Sequence, residues 1–330
     1  MDSSRSLSRR DFLTGTTAAL VSVHLASQAS AATRAEPIID IHQHTNYGGP
    51  RDAAFKQTGP ARSHEVLLAH QRAMGVTKTI LLPAGRQLVR GSTLEGKANG
   101  LDGTVSTNED AYQLARANPT EFAFGANEVP DLPDAVEVIE KYLKLGAVVI
   151  GEQKFGVECD SPESQKLYQL AQTYNVPILM HWQVGSYNHG FDRFHTMLAK
   201  YPKVNFIGHA QTWWANIDKS NADSIKNLYP RGKVTPGGLT DRYLSDYPNM
   251  FADLSAGSGE NAFKRDPDHA RAFFARHPDK LLYGSDCADN TGLPKDCSGI
   301  RQIAQIREFS PNKAAERKIL FENARKLFRL

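Results

Sequence analysis

From Pro37 onward, short apolar runs alternate with longer amphipathic stretches. The apolar runs are Ile38–Ile41, Lys78–Pro83, Phe122–Ala126, Ala147–Lys154, Pro177–His181, Val204–Ile207, Met250–Leu254 and Lys280–Tyr283. Several are rich in β-branched residues and apolar on both faces, as expected of parallel strands buried on two sides. Helical spacing follows at Ser63–Gly75, Thr107–Asn118, Asp134–Gly146, Ser161–Asn175, Phe191–Tyr201, Asp266–His277 and Lys313–Phe328. Serine opens the first of these and glycine closes it, while Pro119 stops the second. Strand–helix alternation on this scale predicts a parallel α/β fold, and eight units match a (β/α)₈ TIM barrel. A doubly wound sheet is the alternative, weakened because no Gly-x-Gly-x-x-Gly turn follows an early strand. Two connections, Ala84–Ser106 and Ala210–Thr240, are long enough to carry function.

The first residues break this rhythm. Ser8-Arg9-Arg10-Asp11-Phe12-Leu13 precedes a mild apolar run to Leu25, then the small-residue site Ala29-Ser30-Ala31. Charged, apolar and small segments in that order predict a signal peptide over residues 1–31, of twin-arginine type, leaving a single domain over 32–330. The apolar run is too short for a comfortable membrane span, so no stable membrane anchor is expected. The implied address is periplasmic or secreted, with the twin-arginine export machinery as a partner.

Composition narrows the rest. The 330 residues carry a formal charge of +3, 40% hydrophobic and 23% charged side chains, which suits a globular domain with ample core. No basic-aromatic stripe argues for nucleic acid. Cys159, Cys287 and Cys297 make no disulfide framework, and a Cys287–Cys297 bridge is left open.

The candidate chemistry lies where the predicted strands end. Asp40-Ile41-His42-Gln43-His44 places two imidazoles at i, i+2. Glu152, His181, His209 and Asp286 close the fourth, fifth, sixth and eighth runs. In a TIM barrel these ends converge on one pocket, and imidazole with carboxylate suits zinc or another first-row divalent ion. Any one of these residues alone reads as a packed histidine or a loop cap; the joint pattern does not.

With the motifs Asp-Ile-His-Gln-His at 40–44, His181, Gly208-His209 and Gly-Ser-Asp at 284–286, the sequence resembles the amidohydrolase superfamily, in its amidohydrolase-related, aminocarboxymuconate semialdehyde decarboxylase-like branch. The resemblance implies a divalent metal, zinc first, as one or two ions held by His42, His44, His181 and Asp286. His209 would bind a second ion or polarise the substrate, and Asp286 would also move the proton. Gly151-Glu152 is similar to the strand-four Gly-Glu of TatD-type hydrolases, which makes Glu152 a candidate ligand. Lys154, two residues on, corresponds to a lysine that can be carboxylated in binuclear members. Trp182, Tyr187, His189, Trp213 and Trp214 are candidate pocket walls, and Arg86 a candidate carboxylate grip. The expected function is metal-dependent hydrolysis of an amide, lactone or ester of a small molecule. Non-oxidative decarboxylation on the same scaffold is the alternative, and a non-catalytic metal- or ligand-binding protein the second. A homo-oligomer is left open.

Overall fold

The computed structural model describes residues 36–45, 62–85, 100–101, 105–221 and 227–330. The predicted signal peptide, Arg86 and most of the Ala84–Ser106 connection lie outside the described residues. Eight strands appear where the apolar runs predict them: β1 (Ile39–Gln43), β2 (Lys78–Leu81), β3 (Phe122–Phe124), β4 (Ile150–Gln153), β5 (Ile178–His181), β6 (Phe206–His209), β7 (Met250–Asp253) and β8 (Leu281–Leu282). Every pairing is parallel, in the order β1-β2-β3 and β4-β5-β6-β7-β8.

Backbone hydrogen bonds cross both seams between these two sheets. The Val148 and Ala126 amides donate to Phe124 O and Val149 O (2.9 and 2.8 Å), joining β3 to β4. The Ile41 and Asp286 amides donate to Tyr283 O and His42 O (3.1 and 2.8 Å), joining β8 to β1. The architecture is a TIM barrel.

Two cores follow from strand alternation. Ile39, Ile41, Ile80, Leu82, Val149, Leu179, Ile207 and Leu282 fill the barrel, closed off by Ala324 and Phe328 of the C-terminal helix. Ile178, Met180, Phe206, Met250, Ala252, Leu281 and Tyr283 face the other way, into the layer beneath the helices.

The helices begin where capping chemistry allows. Ser63, Thr107 and Ser161 accept hydrogen bonds from the first turns of α1 (His64–Ala73), α2 (Asn108–Ala117) and α4 (Pro162–Tyr174), with α3 (Ala135–Lys144) between the last two. The expected Phe191–Tyr201 helix begins as a 3₁₀ turn and becomes α5 only at His195–Lys200. Short α6 (Gln211–Ala215) and α7 (Leu239–Asp246) border the second long connection, and α8 (Ala256–Lys264) precedes the expected α9 (Pro267–Arg276). After α10 (Ser298–Phe309), the expected Lys313–Phe328 helix splits into α11 (Lys313–Arg317), a π-helical turn at Lys318–Glu322 and α12 (Asn323–Phe328). The Ile319 carbonyl inside that turn accepts from the Tyr283 amide at 3.2 Å, which takes it out of the regular helical ladder. Among the described residues no helix is long and apolar enough to cross a membrane.

Candidate metal centre and active site

Simple alternation would not place all the strand-end groups inside the barrel. Ile39 and Ile41 point into the barrel core, so His42 in an unbroken strand would point out. The register between β1 and β2 shifts: Asp40 pairs with Thr79 and Gln43 with Leu81, three residues against two. The same shift separates Ile150↔Ile178 from Gln153↔Met180 between β4 and β5. An extra residue in each strand reverses its side-chain parity. His42, His44 and Glu152 are thereby turned inward above the apolar barrel core.

Each imidazole is then fixed through Nδ1. His44 Nδ1 lies 2.7 Å from the Leu82 carbonyl, which only accepts, so Nδ1 carries a proton and Nε2 is the atom turned toward the other strand-end groups. His42 Nδ1 lies 2.7 Å from Asp253 Oδ2, and His209 Nδ1 3.2 Å from the same oxygen and 3.0 Å from Ser255 Oγ. His181 Nδ1 lies 2.5 Å from Glu152 Oε1. Carboxylate or carbonyl support behind a ring is the usual way to orient an imidazole ligand.

The Nε2 atoms meet two carboxylates. His42 Nε2 and His44 Nε2 are 3.2 Å apart. Glu152 Oε2 lies 3.5 and 3.3 Å from them, and Asp286 Oδ1 3.8 and 3.6 Å. A tetrahedral ion at ordinary Zn–N and Zn–O distances spaces its ligands about 3.3–3.6 Å apart, close to the spacing of His42, His44 and Glu152, which form one candidate donor group, while His42, His209 and Asp286 form a neighbouring one that shares His42. Glu152 Oε2 and Asp286 Oδ1 are buried and have no hydrogen-bond partner among the described residues. Unpaired buried carboxylate oxygens are costly, and a cation between them and the imidazoles satisfies both. On the far side of Glu152, His181 and His209 complete a second donor group, with Glu152 Oε1 3.8 Å from His209 Nε2.

The electrostatics agree. Burial opposes the charged form of His42, yet Asp286, Glu152 and Asp253 raise its pKa well above the usual histidine value, the mark of a place that attracts positive charge. Glu152 is held well below the carboxylate range: Lys154, His181 and His42 outweigh its burial. Burial and the Lys154 charge push His181 down to about 4, so its ring is neutral at pH 7.

The motifs gain individual reasons. Asp40 accepts from the His42 amide (3.0 Å), Gln71 Nε2 (2.7 Å), the Ser285 amide (2.9 Å) and Ser285 Oγ (2.5 Å), tying β1 to the turn that carries Asp286. Gly284 sits where a Cβ would come 2.5 Å from Asp253 Oδ1 and 2.9 Å from His42 Cβ. Asp286 itself adopts φ +46°, a left-handed turn uncommon for a residue with a side chain.

The aromatic expectations need correction. Trp182 and Trp213 are fully buried in the layer outside the barrel. Trp182 packs on Phe191 and Phe194, and Trp213 lies so close over Gly208 that a Cβ there would come 2.4 Å from the indole. Gly208 and His209 are consecutive strand residues, so the indole covers the face opposite His209. Trp214 is buried in the same layer. Lys154 is half-buried, its ammonium 6.0 Å over the Tyr187 ring, which packs edge-on to His181. Cys287 and Cys297 form a disulfide. Sequence reasoning missed Asp253, which supports two histidines at once. Its signal was present, since Met250-Phe-Ala-Asp253 is a strand ending in a carboxylate like the others.

Comparison with known proteins agrees with this architecture. The Amidohydrolase family model matches residues 242–330, the segment carrying Asp253 and Asp286. No curated protein matches in sequence. Among solved structures, a TIM-barrel protein from Bordetella bronchiseptica has 16% identity and a TM-score of 0.56 over 89% of this chain and 98% of its own. A probable 2-pyrone-4,6-dicarboxylic acid hydrolase from Acinetobacter baumannii, with citric acid bound, has 13% identity and a TM-score of 0.53 over 89% and 99%. A dihydroxybenzoic acid decarboxylase from Polaromonas, with manganese and 2-nitroresorcinol bound, has 16% identity and a TM-score of 0.51 over 89% and 97%. At these identities the likeness is one of fold. The chain has the TIM-barrel fold of amidohydrolase-like proteins, and its C-terminal quarter matches the Amidohydrolase family itself.

Proposed function

We propose that this chain is a metal-dependent hydrolase acting on an ester, lactone or amide bond of a small molecule. His42, His44 and Glu152 are its principal ligand set, with Asp286 beside the shared His42. The observation that carries the reading is the pair of buried oxygens without a hydrogen-bond partner among the described residues, Glu152 Oε2 and Asp286 Oδ1, each within 3.8 Å of His42 Nε2 and His44 Nε2. The mixed nitrogen–oxygen set suits zinc and also manganese. A divalent ion bound there supplies Lewis acidity, polarising a carbonyl and lowering the pKa of water towards about 7.

The chain's own groups handle the protons. Asp286 presents its second oxygen 3.9 Å from His209 Nε2, so a proton taken by this carboxylate has a neighbour to which it can pass. Asp253 behind His209 Nδ1 stabilises the imidazolium, whose Nε2–H then donates to an oxygen that gains charge. His181, neutral and bound to Glu152, orients that carboxylate. Lys154 keeps Glu152 ionised.

A second reading, non-oxidative decarboxylation, draws support from the decarboxylase among the structural neighbours and from Lys154, a cation beside the site able to hold a substrate carboxylate. One assay separates the two. Metal-loaded protein is offered ester, lactone and amide panels and aromatic carboxylic acids, with and without chelator. Hydrolysis that chelator abolishes, and that Asp286→Asn lowers by at least about a hundredfold, fits the loss of a general base. Carbon dioxide release without water consumption assigns the lyase. Full hydrolytic activity in Asp286→Asn removes Asp286 from the chemistry.

A further inference from the structure

Behind the turn that carries Asp286, four residues with ligand side chains meet. His70 on α1, and Cys287, Asp289 and Cys297 on the turn before α10, each offer one ligand atom within 4.8 Å of the others. His70 Nε2 lies 2.9 Å from Asp289 Oδ2. The other Asp289 oxygen is occupied by the amides of Thr291 and Gly292 at 2.9 and 2.8 Å, which aims Oδ2 at the histidine. In the structure the two sulfurs are joined. We propose that, once this disulfide is reduced, Cys287, Cys297, His70 and Asp289 form a second, buried metal site for a thiophilic divalent ion of the zinc class, distinct from the catalytic centre.

Three observations support a thiolate site here beyond proximity. Cys287 Sγ accepts the Gly299 amide at 3.0 Å, on the first turn of the twelve-residue helix α10. An amide donor and the positive helix end both favour sulfur as thiolate. Met74 places its thioether sulfur 3.5 Å from Cys297 Sγ, adding a soft neighbour on the remaining side. Arg62, itself buried, donates to Cys287 O (2.9 Å), Asp289 O (2.7 Å) and Gln43 Oε1 (2.7 Å). The turn therefore stays anchored to β1 by bonds that do not depend on the disulfide. Two thiolates and a carboxylate carry three negative charges; a divalent ion together with the Arg62 guanidinium balances them.

The redox step balances simply. A dithiol reductant gives two electrons and two protons to the disulfide and becomes a disulfide itself. Metal binding then displaces the two thiol protons to solvent. Cys287 directly follows Asp286, so the turn carrying that catalytic carboxylate is pinned by a covalent bond under oxidising conditions and by a metal under reducing ones.

Cobalt distinguishes the two centres, because only this one holds sulfur. Co2+ is added under anaerobic conditions to native protein, either oxidised or reduced with dithiothreitol and freed of reductant. The reduced protein is expected to show a sulfur-to-cobalt charge-transfer band, to bind one more ion per chain than the oxidised protein, and to lose the band on adding Zn2+. Reactivity of Cys287 and Cys297 towards a thiol reagent should fall when Zn2+ is present. His70→Ala and Asp289→Asn should each weaken Zn2+ binding to the reduced form by at least about tenfold. Equal metal content in the two redox forms, absence of the band, thiols that react equally with Zn2+ present, or loss of the fold on reduction would each overturn the proposal. No variant is needed for the central comparison, and it is independent of which reaction the catalytic centre performs.

Discussion

Asp253→Asn is the sharpest test of how the proposed metal centre is held. Asp253 Oδ2 faces His42 Nδ1 at 2.7 Å and His209 Nδ1 at 3.2 Å and accepts from Ser255 Oγ at 2.8 Å; Oδ1 accepts from the Ser255 amide at 2.9 Å. An asparagine keeps the shape and has only one acceptor oxygen. If its NH₂ faces the histidines, their Nδ1 atoms must accept, the ring proton moves to Nε2, and the lone pair aimed at the metal is lost. If its NH₂ faces the Ser255 amide, two donors meet in a fully buried spot, an unsatisfied pair costing about 1–3 kcal/mol. Either arrangement weakens the centre. Loss of a group that supports a ligand costs about 10–100-fold in metal affinity, or about 1.4–2.8 kcal/mol. The assay is metal titration of the stripped protein against a competing chelator, with nitrogen NMR of the imidazoles to read the tautomer and circular dichroism to confirm folding. A folded variant whose Kd stays within about twofold of the native protein, with unchanged tautomers, would refute the role given to Asp253.

Other consequences are equally direct. Gly284→Ala should lower Tm and metal content together, because the new methyl would come 2.5 Å from Asp253 Oδ1 and overpacking of this kind costs about 1–3 kcal/mol; unchanged values in both would refute the packing argument. Burial, aided by Asp160, pushes the Cys159 thiol up to about 12, so native protein at pH 8 should resist alkylation at Cys159 and accept it only on unfolding, as read by peptide mass spectrometry. Asp241 is pulled below the carboxylate range by His277 and Arg276 against its burial. A depressed folded pKa gives stability that is present above the unfolded value of about 3.9 and is lost as pH falls through the lower folded value. Asp241→Asn should therefore flatten the loss of stability below about pH 4 in denaturant titrations; an acid limb identical to that of the native protein would contradict this.

What was legible in the sequence was periodicity and position. All eight strands could be read because parallel strands buried on two faces are short apolar runs bounded by polar residues. Helices α6, α7, α8 and α10 were not anticipated; α8 begins Ala-Gly-Ser-Gly, a poor helical start on propensity alone. Gly259 is required there, since a Cβ would come 2.0 Å from the Leu254 carbonyl oxygen, a tertiary contact that local sequence does not encode. Trp182 and Trp213 were misplaced for a related reason: following a strand end says nothing about which side of the barrel a ring will occupy. Trp213 is fixed by the space above Gly208.

The site itself was legible as a set of residues but not as a geometry. His42 and His44 satisfy an i, i+2 spacing, and the same spacing predicts that they share a face with Asp40, whose carboxylate is spent on Gln71 and Ser285. What puts the imidazoles over the barrel axis is the extra residue in β1, and a matching one in β4 does the same for Glu152. Bulges are invisible to alternation rules, because they are the points where alternation fails. Their presence in the two strands that carry His42, His44 and Glu152 argues that the local irregularity belongs to the proposed function: an unbroken strand would keep the apolar barrel floor or the inward polar groups, and the bulge lets one short strand provide both.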